Sequence, residues 1–224
     1  MEVSRVDSFL NGLLLSDCGI YRAKETHAAY YRQVCKYKEY LEYIYNILKE
    51  YIPFSDTPFS YRETHGTWQL TSRNHDILTK KRELWYPNGK KIVPSSLVLD
   101  ELSLCHWYIG DGCMASKNGC HAGLEFAAHS FSLEDRVFLA KQVQDLGFSS
   151  TAWKSGVNII HKKSIVEFLQ YLGSCPVSCY EYKWNTERFS FRYPYTYAYR
   201  KQKRLEKEST LFHEEKGEDI VYSL

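Results

Sequence analysis

The amino-acid sequence predicts an α+β protein made of two halves with the same order of elements. Within 224 residues, the pattern of helix, hairpin, helix, strand pair and helix occurs twice. Each half also contains one helix that ends in an aspartate between small residues. These aspartates, Asp17 and Asp111, lie 94 positions apart (111 − 17). We therefore place the first half at residues 1–94, the second at 95–199 and a charged tail at 200–224.

The first half is predicted to begin with a helix at residues 4–16, because Ser4 and Asp7 form a capping pattern ahead of an apolar run. Apolar residues spaced by three and four between Tyr37 and Tyr51 predict a second, amphipathic helix. The remaining elements are strands at 19–23, 28–34, 59–64 and 68–72 and a helix at 76–85.

The second half is predicted to repeat that order. Asp100 is the expected N-cap of a helix that ends beside Asp111. Two capping patterns, which begin at Ser132 and Ser164, predict helices that end near residues 146 and 173. Strands are expected at residues 123–128, 151–154 and 158–161.

Small residues in the two matching helices indicate how the halves pack. Gly12, Ser16 and Gly110 would let the helix backbones approach closely, so that Asp17 and Asp111 emerge side by side. Paired carboxylates at helix C-termini repel each other and face the negative ends of the helix dipoles. A divalent cation relieves that repulsion, and Mg²⁺ commonly binds one or two carboxylates while it keeps several waters. The plainer alternative is that each aspartate ends a helix at the surface.

The bulk composition gives only weak guidance to function. The net charge is +2, but residues 20–91 hold 13 Lys and Arg against 8 Asp and Glu, a local excess of +5 (13 − 8). A face that binds nucleic acid needs such local charge rather than a high overall charge. Seven cysteines without a C-x-x-C pair favour small buried residues in a reducing compartment over a zinc site. No apolar run reaches the roughly 18–20 residues that would span a membrane.

The two helix-end segments, residues 12–19 and 104–112, resemble the paired motifs of the monomeric LAGLIDADG homing endonucleases, and the resemblance covers about residues 8–185. The second segment is the closer match, through Leu104, Trp107, Tyr108, Asp111 and Gly112. Two positions depart from the motif, namely Cys18 in place of the final glycine and Gly110 in place of the first aspartate.

Two further segments resemble the family. Residues 90–94 resemble its K-x-I-P segment and residues 182–184 its Y-K segment, whose lysines lie near the scissile phosphates. The resemblance thus implies the catalytic residues Asp17, Asp111, Lys91 and Lys183. It also implies a metal held by the two aspartates and by the backbone carbonyls of Ser16 and Gly110. That metal is expected to be Mg²⁺, with Mn²⁺ as a substitute and Ca²⁺ bound without supporting cleavage.

The resemblance implies two αββαββα halves packed through the motif helices, with curved antiparallel sheets that form a DNA-binding saddle. The tyrosine-rich strands agree with it, because they carry polar residues at alternating positions. Arginine pairs with guanine and glutamine with adenine through two hydrogen bonds each. The plainer alternative for any one of these side chains is a solvated surface group. The predicted DNA-binding residues are Arg22, Lys24, Arg32, Gln33, Arg62, Gln69, Arg73 and Lys154.

We therefore expect a monomeric, metal-dependent endonuclease that cuts both strands of a long asymmetric DNA target with short 3′ overhangs. Two alternatives share the fold, an intron maturase that binds RNA as a splicing cofactor and a catalytically inactive DNA-binding module. Retention of both aspartates and both lysines favours cleavage, because RNA binding requires none of them. The expected location is intracellular, either in an organelle whose genome encodes the protein or in the cytoplasm of a prokaryote, where a phage could also carry the gene.

Overall fold

A computed structural model describes residues 3–117 and 120–186, in which the two halves have the same element order. In the first half the elements are α1 (Val3–Leu15), β1 (Gly19–Tyr21), β2 (Tyr30–Cys35), α2 (Lys38–Leu48), β3 (Phe54–Arg62), β4 (Thr67–Ser72) and α3 (Asp76–Trp85). In the second half they are α4 (Glu101–Asp111), β5 (Gly112–Lys117), β6 (Cys120–Ala127), α5 (Leu133–Asp145), β7 (Ser150–Ala152), β8 (Gly156–Ile159) and α6 (Lys162–Leu172). Short 3₁₀ turns span Glu63–His65 and Ser178–Lys183. The predicted α+β fold with two αββαββα halves is confirmed.

Each half contributes one antiparallel sheet, and the two sheets have the same topology. In the described residues, sheet A has the strand order β1-β2-β4-β3 and sheet B the order β5-β6-β8-β7. The first strand of each sheet follows a motif helix along the chain, and it starts at Gly19 in one half and at Gly112 in the other. Both sheets therefore begin next to the aspartate that ends the preceding helix.

One face of each sheet packs on helices and the other remains open. In β2 the burial alternates, so that Tyr31 is fully buried while Arg32 is only half-buried. In the second half, Trp107 of α4 packs against Phe126 of β6, with ring centroids 4.3 Å apart. Successive strand residues point to opposite faces, which gives each sheet a core face and an open face. We call the open faces the concave faces, following the predicted saddle.

Helices α1 and α4 pack closely and join the halves. A β-carbon at Gly12 would overlap the backbone carbonyl of Ser103, so only glycine permits this approach. Farther from the motif aspartates, the Tyr40 hydroxyl lies 3.0 Å from Nδ1 of the fully buried His106. Glu39 of α2 accepts hydrogen bonds from the amide and the hydroxyl of Ser178, at 2.8 and 3.0 Å. The predicted role of small residues between the motif helices agrees with this packing.

Two of the helix starts differ from the prediction. Helix α1 begins at Val3, which places Ser4 inside it, and Asp7 accepts a 2.6 Å bond from the buried Lys81 instead of capping. Helix α6 begins at Lys162, so Ser164 is internal, and its hydroxyl accepts a bond from an amide in another segment. The caps predicted at Asp100 and Ser132 are confirmed, each with a full capping box.

Two strands were not predicted correctly. β5 was missed because its sequence, Gly112–Lys117, has no β-branched residue and starts directly after a helix. β3 begins at Phe54, five residues earlier than expected, because a register shift between Phe54 and Phe59 accommodates Pro58.

The segment between α3 and α4, residues 86–100, forms neither helix nor strand, and it contains the predicted boundary at residue 94. The predicted tail at 200–224 lies outside the described residues. Among the described helices, none is long and apolar enough to cross a membrane.

Candidate active site

The two motif aspartates lie at the same end of the α1–α4 pair. Asp17 follows the last residue of α1 by two positions and is exposed, whereas Asp111 is the last residue of α4 and is half-buried. A β-carbon at Gly110 would overlap the side chain of Ser16 and would lie 3.8 Å from the backbone nitrogen of Asp17. The structure therefore brings the two predicted carboxylates together at the helix ends.

The electrostatics of Asp111 are unusual for a carboxylate. Burial and, to a lesser extent, the negative charge of Asp17 raise its pKa to about 7 against the opposing charges of Lys91 and Lys183. Two carboxylates close to helix C-termini would produce this shift, since like charges and low solvation both favour the protonated form. The site therefore favours binding of positive charge.

Each half supplies one half-buried lysine to the carbonyls beside its own aspartate. Lys91 donates hydrogen bonds to the carbonyls of Ser16 and Cys18, both at 3.0 Å, so it bridges the residues on either side of Asp17. Lys183 donates in the same way around Asp111, at 3.2, 2.6 and 2.7 Å to the carbonyls of Tyr108, Ile109 and Gly112. The two lysines thus occupy equivalent places in the two halves.

Burial lowers the pKa of both lysines, that of Lys183 to about 8, while Asp111 and Asp17 act in the opposite direction. Their hydrogen bonds satisfy carbonyls that a helix C-terminus leaves without partners. Sequence reasoning expected these ammonium groups near a phosphate and did not anticipate the carbonyl contacts. The Ser16 carbonyl, an expected metal ligand, already accepts a bond from Lys91.

Local packing explains why each lysine reaches its helix end. Lys91 follows α3 in the connecting segment, where the Ile92 amide donates a 2.9 Å bond to the Trp85 carbonyl. Lys183 ends the 3₁₀ turn Ser178–Lys183, and its own carbonyl accepts a 2.8 Å bond from the Tyr108 hydroxyl. Both segments are therefore fixed to the body of the protein before the lysine side chain extends toward the aspartates.

Several predicted DNA-binding residues share the concave face of sheet A. Register pairs Arg32 with Thr71, Gln69 with Ser60 and Arg62 with Thr67, so all six side chains lie on one face. Lys24 and Arg73 are exposed just beyond the ends of β1 and β4. In the second half, Lys154 is exposed in the turn between β7 and β8.

The prediction for Gln33 is wrong. Gln33 is only 2% exposed and lies on the core face, where its side-chain carbonyl accepts a hydrogen bond from the Tyr31 hydroxyl. Since strand side chains alternate, Arg32 and Gln33 cannot face the same groove. Arg22 lies at the edge of sheet A, where its guanidinium is 3.3 Å from the Glu83 carboxylate of α3.

The sequence profile of the LAGLIDADG DNA endonuclease family matches residues 7–170, which include both motif helices and both sheets. The chain belongs to the LAGLIDADG DNA endonuclease family.

Two curated relatives of this LAGLIDADG protein are each 29% identical to it. An uncharacterised protein of Methanocaldococcus jannaschii aligns over 144 residues, 61% of this chain and 54% of the relative. A probable intron-encoded endonuclease of Wickerhamomyces canadensis aligns over 110 residues, 46% of this chain and 48% of the relative. The chain spans about half the length of these relatives.

Solved LAGLIDADG structures share the fold. The homing endonuclease I-WcaI, bound to its DNA recognition sequence, superposes with a TM-score of 0.68 at 22% identity, over 82% of this chain and 87% of that one. The N-terminal LAGLIDADG domain of WhiA superposes with a TM-score of 0.50 at 14% identity, over 77% of this chain and 84% of that domain. These likenesses concern the arrangement of helices and sheets.

The donor atoms of this LAGLIDADG site fit a hard divalent cation. The available ligands are the carboxylates of Asp17 and Asp111 and the nearby backbone carbonyls, all of them oxygen atoms, as Mg²⁺ prefers. Burial and the charge of Asp17 raise the pKa of Asp111, and a bound cation would act against both causes. Among the described residues, no group of three or more His, Cys, Asp or Glu could hold a metal, which leaves no zinc-type cluster there.

Sequence reasoning missed a row of polar residues on the concave face of sheet B. Glu125 of β6 pairs with Cys113 of β5 and with Asn158 of β8, and Asn158 pairs with Thr151 of β7. The signal was present in the predicted strand at residues 123–128, where Glu125 alternates with the apolar Leu124 and Phe126 and so faces away from the core. This row occupies a place in the second half that corresponds to the predicted DNA-binding row of sheet A.

Proposed function

We propose that this protein is a site-specific DNA endonuclease that makes a metal-dependent cut in each strand of a long, asymmetric duplex and leaves short 3′ overhangs. The observation that carries the proposal is the meeting of Asp17 and Asp111 at the ends of paired helices, each flanked by a half-buried lysine of its own half. Two equivalent sets of charged groups at one centre suit two phosphates, one on each strand.

The concave faces support DNA as the substrate. Arg32, Arg62 and Gln69 share one face with short polar side chains, and Lys24, Arg73 and Lys154 surround the sheets. Base edges in the major groove offer acceptors for arginine and glutamine, while lysines at the margins reach phosphates. The relative I-WcaI was solved on its DNA recognition sequence, and we extend that mode of binding to this chain.

The residues of the centre divide the chemistry of hydrolysis between them. Asp17 and Asp111 would hold the Mg²⁺, which would supply positive charge to the phosphate and lower the pKa of a water. The two carboxylates would orient that water, and the proton it loses passes to the surrounding solvent. The water oxygen bonds to phosphorus while the bond from phosphorus to the leaving sugar oxygen breaks.

The lysines act from fixed positions. Because Lys183 donates to three backbone carbonyls, its charge is held beside the aspartates without a direct bond to the phosphate. A preorganised charge in a region of low solvation stabilises negative charge that develops during the reaction and needs no reorganisation. Lys91 takes the equivalent part on the Asp17 side.

The test uses the full chain and a plasmid library that carries randomised duplex inserts. In Mg²⁺ the protein is expected to linearise a subset of inserts at defined positions, and cutting should stop in EDTA. Asp17→Asn is expected to retain the selected sequences in a binding assay and to cut none of them. Binding of DNA without cutting by the wild-type chain would favour the inactive module. Binding of structured RNA in place of DNA would favour the maturase.

A further inference from the structure

Arg32 is held by aromatic side chains on the concave face of sheet A. It lies in β2, opposite Gly19 of β1 and Thr71 of β4. Its guanidinium carbon is 5.1 Å from the ring centroid of Tyr21 and 5.3 Å from that of Tyr30. Its Nη2 group also donates a 3.1 Å hydrogen bond to the Tyr30 hydroxyl. A cation at such distances from a tyrosine ring is attracted to it, so three contacts fix this side chain.

The two tyrosines support each other, and we call them the tyrosine clamp. Tyr21 and Tyr30 are register partners, and their rings are stacked with centroids 5.8 Å apart. Gly19 makes room for the clamp, since a β-carbon there would lie 2.6 Å from the Tyr21 hydroxyl oxygen and 2.7 Å from two of its ring carbons. The ring of Tyr21 therefore lies over the glycine that faces Arg32.

The orientation of Arg32 leaves only part of its guanidinium for a ligand. The Nε atom is buried and makes no hydrogen bond within the part of the chain that the structure describes. One hydrogen of Nη2 is used by Tyr30. The remaining donors are on Nη1 and Nη2, at the free end of a planar fork. Two acceptors side by side would satisfy that end.

We propose that the tyrosine clamp positions Arg32 to read one guanine in the major groove, an inference that rests on the proposed function. Guanine presents O6 and N7 side by side, which is the acceptor pair that an arginine fork binds most often. A side chain that is already fixed loses less freedom on binding, so the clamp increases both affinity for guanine and discrimination against other bases. Tyr21 and Tyr30 are positioning residues, because they act through Arg32.

The experiment selects a randomised duplex library with the full chain at fixed salt, in Ca²⁺ to prevent cutting. The wild type is expected to prefer guanine at one position, and Arg32→Gln should reduce that preference by about ten- to a hundred-fold. Tyr21→Leu should reduce it by about three- to ten-fold and leave other positions unchanged. Gly19→Ala should act like Tyr21→Leu, because it displaces the same ring, whereas Tyr21→Phe should keep the wild-type preference.

Controls separate positioning from folding and from charge. Arg62→Gln removes another cation of the same face and should leave the guanine position unaffected. Tyr21 is exposed, so its variants are expected to fold, which thermal unfolding will check. Arg32→Gln could instead lower the affinity for all sequences equally and reduce the salt dependence of binding by the amount expected for about one phosphate contact. Arg32 would then contact the DNA backbone, and the inference would be wrong. An unchanged guanine preference in Tyr21→Leu and Gly19→Ala would also overturn it.

Selection by the wild type distinguishes this inference from the proposed function. If the wild-type chain enriched no sequence at all, the site-specific function would fail, and the inference would fail with it. If the wild type enriched a defined site and Arg32→Gln kept every base preference, only the inference would fail.

Discussion

The concave faces of the two sheets have the same backbone topology and opposite chemistry. Sheet A presents Arg32, Arg62 and Gln69, whereas the central row of sheet B contains Glu125 and Asn158. Strand order and antiparallel pairing are the same in both sheets, so the topology does not account for the difference in charge. A repeated fold can therefore keep its scaffold while its two surfaces diverge, as a target with unlike half-sites requires.

The ends of the motif helices differ from the sheets in this respect, because both halves have the same types of side chain there. Each half has an aspartate beside a small residue and a half-buried lysine on the adjacent carbonyls. The halves differ in degree, since Asp111 is less exposed than Asp17, and Lys183 donates to three carbonyls whereas Lys91 donates to two. Under the proposed function, cleavage constrains both halves alike, whereas recognition does not.

The largest expected effect tests whether the two aspartates form one centre. Asp17→Asn and Asp111→Asn should each lower cleavage of both strands by at least about a thousand-fold, because each removes a ligand of the shared cation. DNA affinity should stay equal or rise, since a negative charge near phosphates is removed. A supercoiled plasmid that carries a selected site separates nicking from linearisation. Rapid nicking of one strand by either variant would show that the two aspartates act in independent sites. Asp145→Asn on α5 is the control and should cut like the wild type.

A second prediction concerns the buried contact between the halves. Burial lowers the pKa of His106 to about 3, so the folded protein keeps this ring neutral while the unfolded chain protonates it near 6.5. The stability that depends on His106 is therefore complete above pH 6.5 and is lost as the pH falls toward 3. Between pH 7 and 4.5 the loss should be about 3 kcal/mol at most, at 1.36 kcal/mol for each pH unit.

Chemical denaturation as a function of pH measures this effect. His106→Gln should flatten the dependence of the unfolding free energy on pH, whereas His129→Gln at an exposed position should not. A steep pH dependence that persisted in His106→Gln would assign the effect to other groups.

Lys183 donates more hydrogen bonds than Lys91, so its substitution is expected to slow cleavage more. Lys183→Met should slow cleavage by roughly a hundred-fold and Lys91→Met by roughly ten-fold, since the loss of a preorganised charge costs up to a few kcal/mol. Binding at the same salt concentration should change much less. Single-turnover cleavage and gel-shift assays on one duplex make the comparison, with Lys141→Met on α5 as the control. Equal losses of affinity and rate would identify the lysines as phosphate anchors.

The smallest expected effect concerns Glu125, a carboxylate on a face that we propose to bind DNA. The N4 amine of cytosine donates to a carboxylate in the major groove, so Glu125 is expected to favour cytosine at one position. Glu125→Gln should reduce that preference by roughly five- to ten-fold, at the lower end of the range for one base contact. Selection from the randomised library measures it, with Glu167→Gln on α6 as the control. An unchanged base preference would mean that sheet B reads its half-site without Glu125.

The sequence predicted local features of the fold better than contacts between distant residues. Asp100 and Ser132 were identified as helix caps because a cap depends on residues within one turn. Ser4 and Ser164 have the same local pattern, yet both lie inside helices that begin earlier. At these two places, tertiary packing extended the helix beyond its local signal.

The site shows the same limit. Asp17 and Asp111 could be paired from the sequence because two matching contexts recur at a fixed spacing. The carbonyls that Lys183 binds could not be predicted, because the contacts cross 71 to 75 positions and depend on how the 3₁₀ turn packs on α4. Gln33 was misplaced because it and its neighbour Arg32 were assigned to the same face, although successive side chains of β2 alternate between the core and the open face.

The close approach of α1 and α4 also limits how halves of such proteins can be recombined. Gly12 admits the backbone of Ser103, and Gly110 admits the side chain of Ser16, so each half supplies a hollow for the other. A second half transplanted from another member of the family would fit only if it brought a small residue at both facing positions and a partner for Tyr40. Chimeras designed to read new half-sites should therefore exchange these few interface positions of α1 and α4 together, as one set.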